Sequence, residues 1–178
     1  MQRESDLFFA CVSGNIELIQ KLLSSPEVGI NWRNGDGWTP LYVACWYGYL
    51  EIAKLLLNDE RIDVNVADKY GLTPFFISCY HGHFDIVQYM FVSGKDVNFS
   101  VVDDEGKTSL EIARKRGSGE KQMWEKEKDF QKAKTNCPKI VELIEAFERD
   151  PNETRIKLKI QLGILGKQFF YFSSYFFR

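Results

Sequence analysis

The chain has 178 residues, 44% hydrophobic and 27% charged, with a formal net charge of −2 at pH 7. That length supports one domain with a real core, and the composition is that of an ordinary soluble globular protein. The slightly negative balance argues against a protein whose whole surface is built to neutralise nucleic-acid phosphates, and four cysteines are too few for a disulfide-dense secreted scaffold.

The opening stretch MQRESDLFFACVSG is polar before a short apolar run and has no extended hydrophobic region, so it does not read as a secretory signal. With the cysteine count, it predicts a reducing, cytoplasmic setting. From Leu7 the sequence repeats. LFFACVSGNIELIQKLL, LYVACWYGYLEIAKLLL and FFISCYHGHFDIVQYMF begin at Leu7, Leu41 and Phe75, a constant step of 34, and LEIARKRG from Leu110 continues one residue late. Before the last three of these four segments stands the same punctuation, Gly37-Trp38-Thr39-Pro40, Gly71-Leu72-Thr73-Pro74 and Gly106-Lys107-Thr108-Ser109.

Each unit therefore reads as turn, helix, tight turn, helix. Thr at the N-cap offers an oxygen to an orphan N–H, and Pro at the first helical position has no N–H to waste. The first helix is short, ending near Gly14, Gly48, Gly82 or Gly117, where a left-handed conformation suits glycine. The second carries apolar residues at helical spacing: Ile52, Leu55 and Leu56 in one unit, Ile86, Tyr89 and Met90 in the next. Neither helix pair can bury its own apolar face, so neighbours must stack in a row.

DGWTPLYVACWYGYLEIAKLLLNDERIDVN and KYGLTPFFISCYHGHFDIVQYMFVSGKDVN resemble ankyrin repeats, whose hallmark is Thr-Pro-Leu-His-x-Ala, then Gly-His and a leucine-rich helix. Asp63 to Asn65 and Asp96 to Asn98 fit the same pattern. The resemblance implies an all-α solenoid of stacked helix-turn-helix units joined by β-hairpin-like loops. It places units near 5–33, 34–67, 68–102 and 103–148, the last interrupted by an insert over 118–136, and leaves 149–178 as a capping helix and aromatic tail. Tyr42 and Phe76 stand where the family has histidine, so that residue's hydrogen bonding between repeats is not carried over.

CYHGH, residues 79–83, holds both histidines of the chain beside a cysteine, as a zinc or copper site would. Cys79 has counterparts at Cys45 and Cys11, however, in a position the family keeps small and buried, and His83 sits in the family's Gly-His turn. The stretch reads as repeat grammar, with no metal. There is no Gly-x-Ser-x-Gly, P-loop, Gly-x-Gly-x-x-Gly or His-Glu-x-x-His, so neither catalysis nor a cofactor is expected.

Ankyrin arrays generally bind proteins through a concave face made from hairpin tips and first helices. Carried over residue by residue, those positions are Arg33, Gly35, Asp36, Trp38, Trp46 and Tyr47 in the second unit and Lys69, Tyr70, Leu72, Tyr80 and His81 in the third. The fourth offers Asp104, Glu105, Lys107, Lys115 and Arg116, and the first helix Val12 and Ser13. Trp38, Trp46, Tyr47, Tyr70 and Tyr80 would form a central aromatic patch, with His81 beside it and Asp104, Lys107 and Lys115 as a charged end. Aromatics of this kind dominate binding hot spots; the competing reading is that the rings pack between repeats. The expected partner is a protein, with no nucleic acid, and the chain is expected to be a monomer.

After Gly117 the insert SGEKQMWEKEKDFQKAKTN carries Met123, Trp124 and Phe130 at near-helical spacing; it reads either as a helical excursion or as a solvated loop, and Trp124 is a further contact candidate. Pro138 is then the first residue of the resumed helix. Beyond Arg149, Asp150, Pro151 and Glu153 make a helix start and Gly163 a stop, although Ile156, Leu158, Ile160 and Leu162 alternate as a strand would; the caps favour a helix. The closing FFYFSSYFFR is aggregation-prone, and with Lys157, Lys159 and Lys167 it suits a membrane surface or single-stranded nucleic acid. The alternative function is thus a membrane-attached spacer anchored by this tail.

Overall fold

The computed structural model describes residues 2–119, 121 and 125–165. Trp124, Met123 and the aromatic tail lie outside them. Nine helices follow one another among the described residues: α1 (Gln2–Ser13), α2 (Ile16–Leu23), α3 (Pro40–Tyr47), α4 (Leu50–Leu57), α5 (Pro74–Tyr80), α6 (Phe84–Val92), α7 (Ser109–Gly117), α8 (Glu127–Arg149) and α9 (Pro151–Gln161). They form an all-α solenoid. The odd-numbered helices α1, α3, α5 and α7 stack in one layer and α2, α4, α6 and α8 in a second.

The threonine caps explain why the first helices begin where they do. Thr39, Thr73 and Thr108 Oγ1 accept from the backbone N–H of Tyr42, Phe76 and Glu111 at 3.1, 3.3 and 3.3 Å, and Glu111 returns a carboxylate oxygen to the Thr108 N–H. Gly48 at φ +74° and Gly82 at φ +67° turn the chain from α3 into α4 and from α5 into α6. Pro40 through Cys45 are all buried, as are Pro74 through Cys79, because a helix sandwiched between two neighbours keeps little of its surface in water. Leu41, Ile52, Leu56, Phe75, Ile86 and Met90 form the shared core.

The joining loops are hairpin-like tips of one design. Asn34 and Trp38, Asp68 and Leu72, and Asp103 and Lys107 are each closed by a backbone bond of 3.0–3.1 Å. The Asn34, Asp68 and Asp103 Oδ1 atoms each accept from two further backbone N–H groups. Behind the tips runs a ladder of asparagines. Asn31 donates to the Arg61 carbonyl at 2.9 Å and accepts from the Asp63 N–H at 2.9 Å; Asn65 donates to the Asp96 carbonyl at 2.8 Å and accepts from the Asn98 N–H at 2.8 Å. These rungs give the Asp-Val-Asn signature its physical role.

Two local expectations need correction and a third is met. Gly117 does not end its helix in a left-handed turn; it is the last helical residue of α7, and the positive φ falls on Gly119. Pro138 does not open a helix but lies inside α8, which runs unbroken through the second half of the insert into the resumed repeat. The N1 signal is overridden because residues 127–137 are already helical, tied by a Gln131–Glu127 hydrogen bond of 2.7 Å and pinned by the buried Ala133 and Cys137. A Cβ on Gly117 would stand 3.2 Å from Pro138 Cδ, so the bare glycine makes room for the ring. Lastly, residues 156–161 are helical, as the caps predict: Asp150 accepts from the Glu153 N–H at 2.9 Å, while the Glu153 carboxylate turns to Lys157 at 2.7 Å. Helix α9 lies across α6 and α8, with Arg155 donating to the Phe91 carbonyl at 3.2 Å and its guanidinium 4.9 Å from the Phe147 ring.

Candidate functional site: an aromatic groove along the first helices

The hairpin tips and the first helices α3, α5 and α7 enclose a groove of about 410 Å³. One wall is a run of stacked rings. Trp38, on a tip, lies 5.1 Å from Tyr42 and 5.0 Å from Trp46, the latter nearly parallel at 29°. Trp46 meets His81 edge-on at 4.7 Å, His81 lies 5.0 Å from Tyr80, and the Arg116 guanidinium sits 4.9 Å over the Tyr80 ring. The rings thus link two units at offset-stacked and edge-to-face distances, and the guanidinium adds a third. Their order follows from the repeat, since Trp46 and Tyr80 hold the same position one step apart. Both are half-buried, each with one side against the array and the other toward the groove.

Tyr70 reaches out from the next tip, 68% exposed, with the Lys69 ammonium 5.1 Å from its ring and Lys69 itself bonded to Asp36 at 2.5 Å. Asp103, Asp104 and Glu105 form the acidic rim on the tip of the fourth unit, and Lys115 faces them from α7. Glu105 pairs with Lys107, which holds its carboxyl below the usual range.

Among the sequence-predicted residues, Trp38, Trp46, Tyr70, Tyr80, Asp104 and Lys115 line this one groove. Tyr47 and His81 line an adjoining hollow of about 310 Å³, closed on its far side by Glu125, Lys126, Asp129 and Lys132 of the insert. Lys107 lines neither. Arg33 is a structural clamp, donating to the Ala67 carbonyl at 2.9 Å. Arg116 does not offer an exposed charge: it is 1% exposed, paired with Glu125, whose side chain is 4% exposed, and donating to the Tyr80 carbonyl at 3.2 Å.

Tyr42 and Asp68 line the groove but were not among the expected contact residues. Tyr42 donates its hydroxyl to Asp68 Oδ2 at 2.8 Å, so a phenol at this position makes a hydrogen bond between repeats. The recurrence of Asn34, Asp68 and Asp103 at the head of each tip was the signal available for Asp68.

The histidines and cysteines are held in uncharged forms. Burial pushes His83 down to about 4, and the nearby Lys132 ammonium adds to the shift. Lys132 can only donate, so His83 Nδ1 accepts from it at 2.8 Å and Nε2–H donates to the Trp46 carbonyl at 3.2 Å. His81 is lowered to about 3, first by burial, and its Nε2 is buried without a hydrogen-bond partner among the described residues. Burial raises the Cys11, Cys45 and Cys137 thiols to about 12 and Cys79 well above its usual value. Thiols so protonated are neither nucleophiles nor ready ligands. Among the described residues no group of three or more His, Cys, Asp or Glu is placed to hold a metal ion. What this arrangement offers is area, rings and a charged rim.

Residues 3–68 match a family model described as ankyrin repeats in three copies, and residues 50–91 match a second described as ankyrin repeats in many copies. No curated protein matches the chain.

Proposed function

The chain belongs to the ankyrin-repeat family, and from that premise we propose that it is a non-enzymatic adaptor that takes a protein partner in the aromatic groove. Ankyrin repeats are in general protein–protein interaction modules. The observation that supports this groove as the contact surface is that half-buried Trp38, Trp46 and Tyr80 and exposed Tyr70 converge on it from two units, beside the acidic rim of a third. Such rings bury much area with few rotors lost and retain a polar handle, the combination that concentrates binding energy. No reaction is proposed, because the site has no nucleophile beside a base. The reading carries with it the cytoplasmic setting expected from the sequence.

The membrane-attached alternative rests on residues outside those described. Among the described residues no helix is long and apolar enough to cross a membrane.

Affinity capture by the full chain and by two variants tests the proposal. Tyr70→Ala removes an exposed ring, and Trp46→Ala/Tyr80→Ala removes half of the wall. Proteins held by the wild type should be lost from Tyr70→Ala with its helical circular dichroism intact, and lost more completely from the double variant. Capture of the same proteins by all three would place the contact surface elsewhere.

A further inference from the structure

We infer that the protein segment held in the aromatic groove presents an arginine side chain to the junction between the third and fourth units. This rests on the groove being the contact surface and adds the chemistry of what enters it. Two junctions of the array follow one plan and can be compared residue by residue. Asn34, Asp68 and Asp103 hold one place on successive tips; Gly35, Lys69 and Asp104 hold the next, and Asp36, Tyr70 and Glu105 the one after. Between the second and third units, internal donors close the junction three times over. The Tyr42 hydroxyl donates to Asp68 Oδ2 at 2.8 Å, the Lys69 N–H to the Asp36 carbonyl at 3.0 Å, and the Lys69 ammonium to the Asp36 carboxylate at 2.5 Å.

Between the third and fourth units none of these donors is present. Phe76 stands in the place of Tyr42 and has no hydroxyl to give Asp103. Asp104 stands in the place of Lys69 and Tyr70 in that of Asp36, and among the described residues no backbone bond joins the Asp104 N–H to the Tyr70 carbonyl. Asp103 Oδ1 accepts from the Glu105 and Lys107 N–H groups at 3.0 and 2.8 Å, whereas its Oδ2 meets no donor and Asp104 meets no cation among the described residues. Glu105 differs, since Lys107 pairs with it and Lys115 adds to the pull on its carboxyl.

Phe76, Asp103, Asp104 and Tyr70 all line the groove, so these unmet acceptors lie where a partner would enter. What the junction lacks is one cation and one further donor. A guanidinium supplies both, from a planar fork whose N–H groups reach two carboxylates at once and whose flat face lies on an aromatic ring. The protein already uses that face, with the Arg116 guanidinium 4.9 Å from the Tyr80 ring, and Tyr70, 68% exposed, offers another at the groove. An ammonium meets the charge without the fork. A phosphate or carboxylate brought here is repelled by Asp103 and Asp104. Leu72 and Ile112 line the same groove and favour an apolar residue beside the arginine.

Capture of short peptide pools by the full chain tests this. The pools are degenerate except at one central position, fixed as arginine, lysine, citrulline or glutamate. The arginine pool should be retained over the citrulline pool by roughly tenfold or more, the worth of a charged hydrogen bond, and over the lysine pool by less; the glutamate pool should not be held. Asp103→Asn/Asp104→Asn should erase the preference for arginine with helical circular dichroism intact, since Asn34 closes its own tip as Asp103 does. Phe76→Tyr, which offers Asp103 the phenol that Tyr42 gives Asp68, should weaken retention of the arginine pool. An arginine pool held no better than the citrulline pool overturns the inference, as does a preference that survives Asp103→Asn/Asp104→Asn. Peptides without arginine that both these chains hold, and that Trp46→Ala/Tyr80→Ala loses, would overturn the arginine and leave the groove as the contact surface. Capture untouched by Trp46→Ala/Tyr80→Ala and by Tyr70→Ala would overturn both.

Discussion

The Tyr42 hydroxyl donates to Asp68 Oδ2 at 2.8 Å, joining the first helix of one unit to the tip that opens the next. Both side chains are buried, and burial together with this bond pushes the phenol's pKa well up. Tyr42→Phe leaves the carboxylate oxygen without its donor and should cost about 1–3 kcal/mol, the penalty for an unsatisfied buried group. Urea unfolding measures this as a lower midpoint with an unchanged slope. The position is filled by Phe76 one unit later, where no such donor exists, so Phe76→Ala should lose packing alone.

The Arg116–Glu125 pair is the second junction, holding the start of the insert against α7 at 1% and 4% side-chain exposure. Glu125→Gln takes a paired negative charge from beside a buried guanidinium and should destabilise by roughly 3–5 kcal/mol. Arg116→Met/Glu125→Leu, which removes both charges, should recover most of that loss. Equilibrium unfolding of the three proteins supplies the comparison, and hydrogen exchange should localise the damage to residues 125–137.

The glycines sort by what surrounds them. A Cβ at Gly82 would stand 2.7 Å from Ala133 Cα, whereas one at Gly71 meets nothing within 4 Å, and both glycines have positive φ. Gly71→Ala should therefore cost only the left-handed strain, about 1–2 kcal/mol. Gly82→Ala adds a backbone clash that pushes α8 off the end of α5, and should melt well below it in a thermal scan.

Stability should fall on both sides of neutrality, for separate reasons. His83 has its pKa lowered from 6.5 to about 4 and His81 to about 3, so between pH 6.5 and 3 the unfolded chain binds protons that the folded one refuses. Stability is fully present above 6.5 and drains away as the pH drops through that window. His83→Gln should flatten the upper part of the acid slope. Above pH 9 the sign reverses: thiols raised from 9.0 to about 12 at Cys11, Cys45 and Cys137 keep protons that the unfolded chain releases, so stability falls as pH rises toward 12. Urea midpoints across the range would trace both limbs, and Cys45→Ala should soften the alkaline one.

The parts of the fold legible in the sequence are those written locally. Thr39-Pro40 and Thr73-Pro74 start helices with atoms only three residues away, and Gly48 and Gly82 turn the chain with their own backbone. Pro138 was misread because a proline looks the same at a helix start and inside one; only the helical run before it decides. Arg116 was misread because its counter-charge comes from the insert, which has no counterpart in the other units. The groove's rings were legible as positions on a repeat, but the division between the groove and the adjoining hollow was not, since the insert builds the far wall of the second.

The asparagine ladder behind the tips has a consequence for how the array comes apart. Each rung spends one side chain on the backbone of the following unit, so releasing Asn65 from Asp96 and Asn98 frees donors and acceptors on both sides at once. An array held only by apolar stacking would be free to fray from its weaker end. One laced in this way spreads a local break to its neighbours, and the first three units should open and close as a single event.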